Sequence, residues 1–121
     1  VTLSVSRTKW LVGDAGTWAS TVAVPTSETQ TARAVSWSMP IDSHFSVQRV
    51  TGPAKIAAQA TITWQDEAGG SHSAQSNTVV IRLSGTGLAN QPDAAGVLTV
   101  EIGDLARGET EDIAVDVQRV K

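Results

Sequence analysis

The chain has no cysteine and no tyrosine, and only one methionine and one phenylalanine. Without cysteine there are no disulfides and no thiolate metal site. That absence suits a reduced cytosol and equally suits many exported bacterial proteins, so it does not fix a compartment. A basic stripe is also missing. The nine cationic residues (Arg7, Lys9, Arg33, Arg49, Lys55, Arg82, Arg107, Arg119 and Lys121) are scattered through a chain of net charge −3. No row of them can neutralise successive phosphates, which argues against nucleic acid as a partner. No apolar run approaches the length of a membrane span. No secretory leader is legible, though a mature or excised segment would lack one in any case. No segment carries a sustained helical period.

What remains is rich in Thr, Val and Ser, residues that favour the pleated surface of a strand. A chain of 121 residues is the size of one domain and buries about two thirds of its unfolded surface. Its clearest pattern runs from Ile56 to Leu83, IAAQATITWQDEAGGSHSAQSNTVVIRL. Ile56, Ala58, Ala60, Ile62 and Trp64 alternate with Ala57, Gln59, Thr61 and Thr63, which places an apolar row on one face of a strand. Gln65 to Ser71 then supplies acidic residues and a glycine pair for a chain reversal. Val79, Ile81 and Leu83 share a face on the return, while residues 71–77 read either as strand or as an irregular edge. This hairpin is expected to form the centre of one sheet.

Similar alternation recurs along the chain. Val1, Leu3 and Val5 mark a first strand, and Trp18, Ser20, Val22 and Val24 a second. Val35, Trp37 and Met39 mark a third, stopped by Pro40. Phe45 and Val47 share a face before Val50 breaks the phase, as a strand end or a bulge would. Gly52-Pro53 reads as a turn into the hairpin. Residues 85–96 hold glycines and a proline without a period, which suits a long loop or a boundary. Leu98, Val100 and Ile102, then Ile113, Val115 and Val117, form two closing strands around a glycine-bracketed turn. The pattern predicts an all-β chain, an immunoglobulin-like antiparallel β-sandwich of about seven to nine strands, spanning 1–121 as a single domain.

Three segments resemble the immunoglobulin-like repeats of bacterial surface proteins: VLTVEIGDLARGETEDIAVDV at 97–117, the 57–83 hairpin with its SNTVVIRL strand, and 35–52 with FSVQRVTG after Pro40. The family they resemble is the prokaryotic repeat domain of unknown function number eleven, with related stalk and adhesion modules. In that family the Gly-x-Leu-x-x-Gly-Glu segment precedes the Ser-Asn-Thr strand, whereas here it follows. The resemblance implies a non-catalytic structural or adhesion module of a larger exported protein, extracellular or at the cell surface. Its partners would be neighbouring domains of the same polypeptide, or a protein paired through a sheet edge. A carbohydrate- or protein-binding module and a structural domain of a phage tail or capsid are the alternatives.

No set of residues points to catalysis, a cofactor or a metal. His44 and His72 fall in expected loops, and a catalytic histidine needs an orienting carboxylate and a nucleophile beside it. The acidic residues sit at separate turns (Asp14, Asp42, Asp66-Glu67, Asp93, Asp104, Glu109 and Glu111-Asp112), without the local spacing that gathers six or more oxygens round calcium. Trp18, Trp37 and Trp64 are in phase with apolar rows and are expected in the core. Trp10 is out of phase and is the ring expected to be exposed, where it could stack on a sugar. Lys9 and Asn77 resemble the pair that some surface sandwiches join by an isopeptide bond, with Asp42 or Asp116 as the assisting acid.

Overall fold

The computed structural model describes residues 1–121 throughout. The chain is all-β: β1 (Thr2–Val5), β2 (Ala15–Ala23), β3 (Ala32–Pro40), β4 (Phe45–Ala58), β5 (Thr61–Gln65), β6 (Ser71–Gln75), β7 (Val79–Leu88), β8 (Val97–Leu105) and β9 (Thr110–Arg119). All pairings are antiparallel. A five-stranded sheet runs in the order β1-β2-β9-β4-β7, a two-stranded sheet pairs β3 with β8, and a second two-stranded ribbon pairs β5 with β6.

The five-stranded sheet and the β3–β8 pair enclose the core. Val50 of β4 and Ile113, Val115 and Val117 of β9 meet Trp37 of β3 and Leu98, Val100, Ile102 and Leu105 of β8. The period-two alternation of β8 and β9 aims these residues inward. Each such side chain contributes about 1.5–3 kcal/mol by leaving water. β9 is the last strand in sequence and a middle strand in space, bonded to β2 on one side and β4 on the other. The strands after the 85–96 stretch therefore pair with strands before it. That stretch itself holds the end of β7 and a loop in which Asp93 Oδ1 accepts the Ala95 and Val97 N–H groups.

β4 departs from the expected turn at Gly52-Pro53. It runs through both residues as a strand of 14 residues. The ladder with β7 slips there, with Gly52 opposite Thr86 but Ala54 opposite Leu83. Proline has no N–H to give the ladder, and Gly85 at φ 69° supplies the left-handed residue of the bulge opposite. The phase break at Val50 is also a bulge: the register with β9 shifts between Val47 and Arg49, so that Val47 and Val50 are both buried. The hairpin expected at the centre of a sheet leaves the body altogether.

Candidate functional site

At the Lys55–Arg82 rung the β4–β7 pair still touches the body, Lys55 against Gly103 and Arg82 against Asp104; beyond it the pair runs out exposed and continues into β5 and β6 as one long arm. Every residue from Lys55 to Ile81 is exposed. Ala54 to Ala58 face Leu83 to Val79, and Thr61 to Gln65 face Gln75 to Ser71. Between these ladders the Ser76 N–H donates to the Ala60 carbonyl (2.9 Å), and Gln59 Nε2 donates to the Ser76 carbonyl (2.9 Å). At about 3.4 Å per residue, the shaft from Lys55 to Gln65 reaches roughly 35 Å.

The tip is closed by its own sequence. Asp66 Oδ1 accepts the Ala68 and Gly70 N–H groups (3.0 and 2.7 Å), and Gly69 sits at φ 84°. His72 Nε2 lies 2.7 Å from Asp66 Oδ2. The His72 hydrogen bond, followed by the Gly70 N–H, holds the Asp66 carboxyl below its ordinary value.

The two faces of the arm differ. On the outgoing strand Ala54, Ile56, Ala58, Ile62 and Trp64 keep one parity, and Val79, Ile81 and Leu83 stand opposite the first three on the same face. The other face carries Lys55 and Arg82 at the base, then Ala57 beside the exposed Val80, and towards the tip Thr61, Thr63, Gln65, Ser71, Ser73 and Gln75. Segments 56–65 and 71–81 contain no Asp, Glu, Lys or Arg. Natural sheets usually protect exposed edges with charge, proline or a short strand. This arm uses none of these along its shaft.

Arg82 anchors the root. Its Nε donates to Glu111 Oε2 (2.8 Å) and its Nη1 to the Asp104 carbonyl (2.6 Å), while Nη2 pairs with Glu109 Oε2. Ser84 Oγ donates to the other Glu111 oxygen (2.6 Å). Glu111 is buried, with its side chain 3% exposed, so this knot ties the arm to β8 and β9 inside the body. The Ala106 N–H, then the guanidinium, hold the Glu109 carboxyl below its usual range.

Compared with known proteins, the chain matches no family model, no curated protein and no solved structure. What the arm does is therefore read from its own geometry.

The residues singled out by sequence fall as follows. Trp37 is buried, with Nε1 donating to Ser20 Oγ (3.1 Å). Trp18 is half-buried in an edge-to-face cluster with Trp10 and Phe45, and its Nε1 has no partner. Trp10 and Trp64 exchange the roles expected of them. Trp10 packs edge-on against Phe45 at 5.3 Å because Asp14 folds the loop back through the Leu11 N–H and Arg119 Nη1 holds the Trp10 carbonyl. Trp64 is in phase with its apolar row, but nothing covers that row, and its ring is exposed and stacked on His72 at 5.4 Å.

His72 lies in β6 rather than in a loop, and His44 lies in the turn before β4 with Nδ1 against Asp42. The His44 N–H, foremost, holds the Asp42 carboxyl below its ordinary value. Each ring thus has a carboxylate, but no serine or threonine hydroxyl bonds to either. The acidic turns stay apart, and no three His, Asp or Glu side chains converge. Lys9 and Asn77 sit at opposite ends of the molecule. Lys9 precedes Trp10, which packs on the first residue of β4, whereas Asn77 lies on the arm beyond the last. Asp116 instead accepts from Thr17 Oγ1 (2.6 Å). Arg82 and Glu111 were legible only as ordinary charges, because their partners come from three different strands.

Proposed function

We propose that this chain is a non-catalytic immunoglobulin-like structural module of a larger exported or surface assembly, and that it holds a neighbour by protein–protein contact through the arm. One observation carries the reading: a ribbon about 35 Å long, uncharged along its shaft and apolar on one face, stands in water with no covering layer. Such a surface loses free energy only when something covers it, and its unpaired edges add main-chain hydrogen bonds to whatever does. The weak resemblance to stalk and adhesion repeats supports the same class of function. The histidines, each paired to a carboxylate without a nucleophile, support non-catalysis.

Deleting 56–81 tests the reading. Lys55 and Arg82 already face each other and can be joined by an Asn-Gly turn. The shortened chain is expected to keep cooperative unfolding of the body and to lose attachment to its parent assembly, read by sedimentation. An assembly that forms equally well without the arm refutes the reading.

The exposed Trp64 ring favours one second reading, a sugar stacked on its free face. Glycan-array binding that disappears in Trp64→Ala is the expected result for that reading, and an empty array removes it.

A further inference from the structure

The body has a gap that the arm fits. Five strands form one sheet and two form the other, so the β3–β8 pair cannot cover the whole inner face of its partner. β3 lies over β2, as the Trp37–Ser20 bond shows, and the edge strand β1 is left uncovered with Leu3 exposed. Between β1 and the free edge of β3 lies a cleft of about 210 Å³ lined by Leu3, Ser20, Trp37 and Met39 among others. That volume is below the roughly 300–1,000 Å³ of small-molecule pockets and suits inserted side chains instead. The floor is already satisfied, since Trp37 donates to Ser20 Oγ and Ser20 donates to the Thr2 carbonyl. What the cleft offers an occupant is apolar contact and the unpaired outer edge of β3. Strands β1, β2 and β3 carry one formal charge between them, Arg33, so an uncharged cleft stands on the same chain as an uncharged arm.

We propose that the occupant is the arm of a second copy of this chain, exchanged reciprocally about a two-fold axis. This rests on the reading of the arm as a contact element and names its partner. One arm strand adds to the free edge of β3, so the two-stranded sheet becomes four-stranded and β1 is covered. The row containing Ile62 and Trp64 faces the cleft, and the Thr and Ser face looks outward with Ser36 and Ser38. Size selects the reciprocal form. An arm face measures about 35 by 10 Å, so one arm in one cleft buries roughly 700 Å², counting both surfaces, which is below the range of stable complexes. Two arms in two clefts bury about 1,400 Å², inside the standard range. Two arms packed face to face bury only the smaller figure. The two-fold exchange also closes on itself and leaves no arm free to propagate a fibre.

The test uses the intact chain. Sedimentation at up to about 100 µM, above the micromolar end expected for an interface of this size, is expected to give a dimer. Leu3→Asp in the cleft and Ile62→Asp on the arm both lie at exposed positions. Each is expected to weaken the dimer at least about 100-fold, through burial of an unpaired charge, with an unchanged unfolding midpoint when measured at dilutions where the parent is itself monomeric. The cysteine-free background allows trapping: Ser38→Cys with Thr63→Cys in one chain, treated with a short bis-maleimide, is expected to give a covalent dimer and no ladder. A monomer at every concentration overturns the exchange and leaves the arm to a partner of different sequence. A ladder overturns the reciprocal form. A dimer lost in Ile62→Asp but kept in Leu3→Asp, with cross-links between two Thr63→Cys arms, overturns the cleft while sparing the arm. Association indifferent to Ile62→Asp overturns both.

Discussion

Truncating Arg82 to alanine would leave the Glu111 carboxylate buried with a single hydroxyl donor, Ser84. Removing one partner of a buried ion pair costs about 3–5 kcal/mol, because the charge that stays behind has lost its compensation. Arg82 is itself 20% exposed and Ser84 remains in place, so the lower end applies, roughly 3 kcal/mol. The bonds lost to Glu109 and to the Asp104 carbonyl add little, since both acceptors can turn to water. For a chain of this length such a loss lowers the thermal midpoint by about 10 °C and the urea midpoint by about 1–2 M, with the denaturant slope unchanged. The control removes both charges. Arg82→Met with Glu111→Leu replaces the pair by apolar groups and is expected to lie within about 1 kcal/mol of the parent. Urea unfolding of Arg82→Met, Glu111→Leu and the double variant closes the cycle and isolates the pair. An Arg82→Ala cost below about 1 kcal/mol would refute the reasoning, as would a double variant less stable than either single one. Since Arg82 also roots the arm, amide exchange at Ile56–Ala58 is expected to quicken in the single variant.

Three further outcomes test other parts of the structure. Ile113→Ala, in the core of β9, is expected to cost about 2–5 kcal/mol, whereas Ile62→Ala on the arm stays within about 0.5 kcal/mol; equal costs by urea unfolding would contradict the exposure of the arm. Ala34 sits at φ 53° in the β3 bulge, so Ala34→Gly is expected to stabilise by about 0.5–1 kcal/mol, read as a raised thermal midpoint; a lowered midpoint contradicts it. The Asp66 carboxyl lies below its ordinary 3.8 in the folded arm, so the order it gives the tip is fully present above that value and is lost as the pH falls through the depressed one. Amide exchange at Ala68 and Gly70, corrected for the intrinsic pH effect, is expected to accelerate only in that acidic window and to lose this dependence in Asp66→Asn.

Much of the fold was legible because alternation is a local property. The strand rows of β2, β3, β8 and β9 follow from residues two apart, and the tip turn follows from Asp66 with Gly69-Gly70. Gly52-Pro53 misled because the same two residues serve a turn and a bulge. The choice between them depended on Ser84 and Gly85, some thirty residues away. Little of the candidate site could be read. Trp64 and Ile62 show the same alternation that a core strand shows, and Trp10 shows none. Yet Trp10 is packed and Trp64 is in water, because burial is decided by what lies across from a row.

By itself, the sequence determined which residues share a face: periodicity and turn chemistry act within a few bonds, and they made this an all-β chain with a long apolar-faced hairpin. Only the tertiary structure decided which faces are covered. It set the final strand, β9, between β2 and β4, placed two strands over five, and ran the β4–β7 pair out past the body. Coverage arises from contacts between residues distant in sequence, so an apolar row at 56–64 spells a strand in either case. Whether it forms a core or an arm depends on an opposing layer that, here, the rest of the chain does not supply.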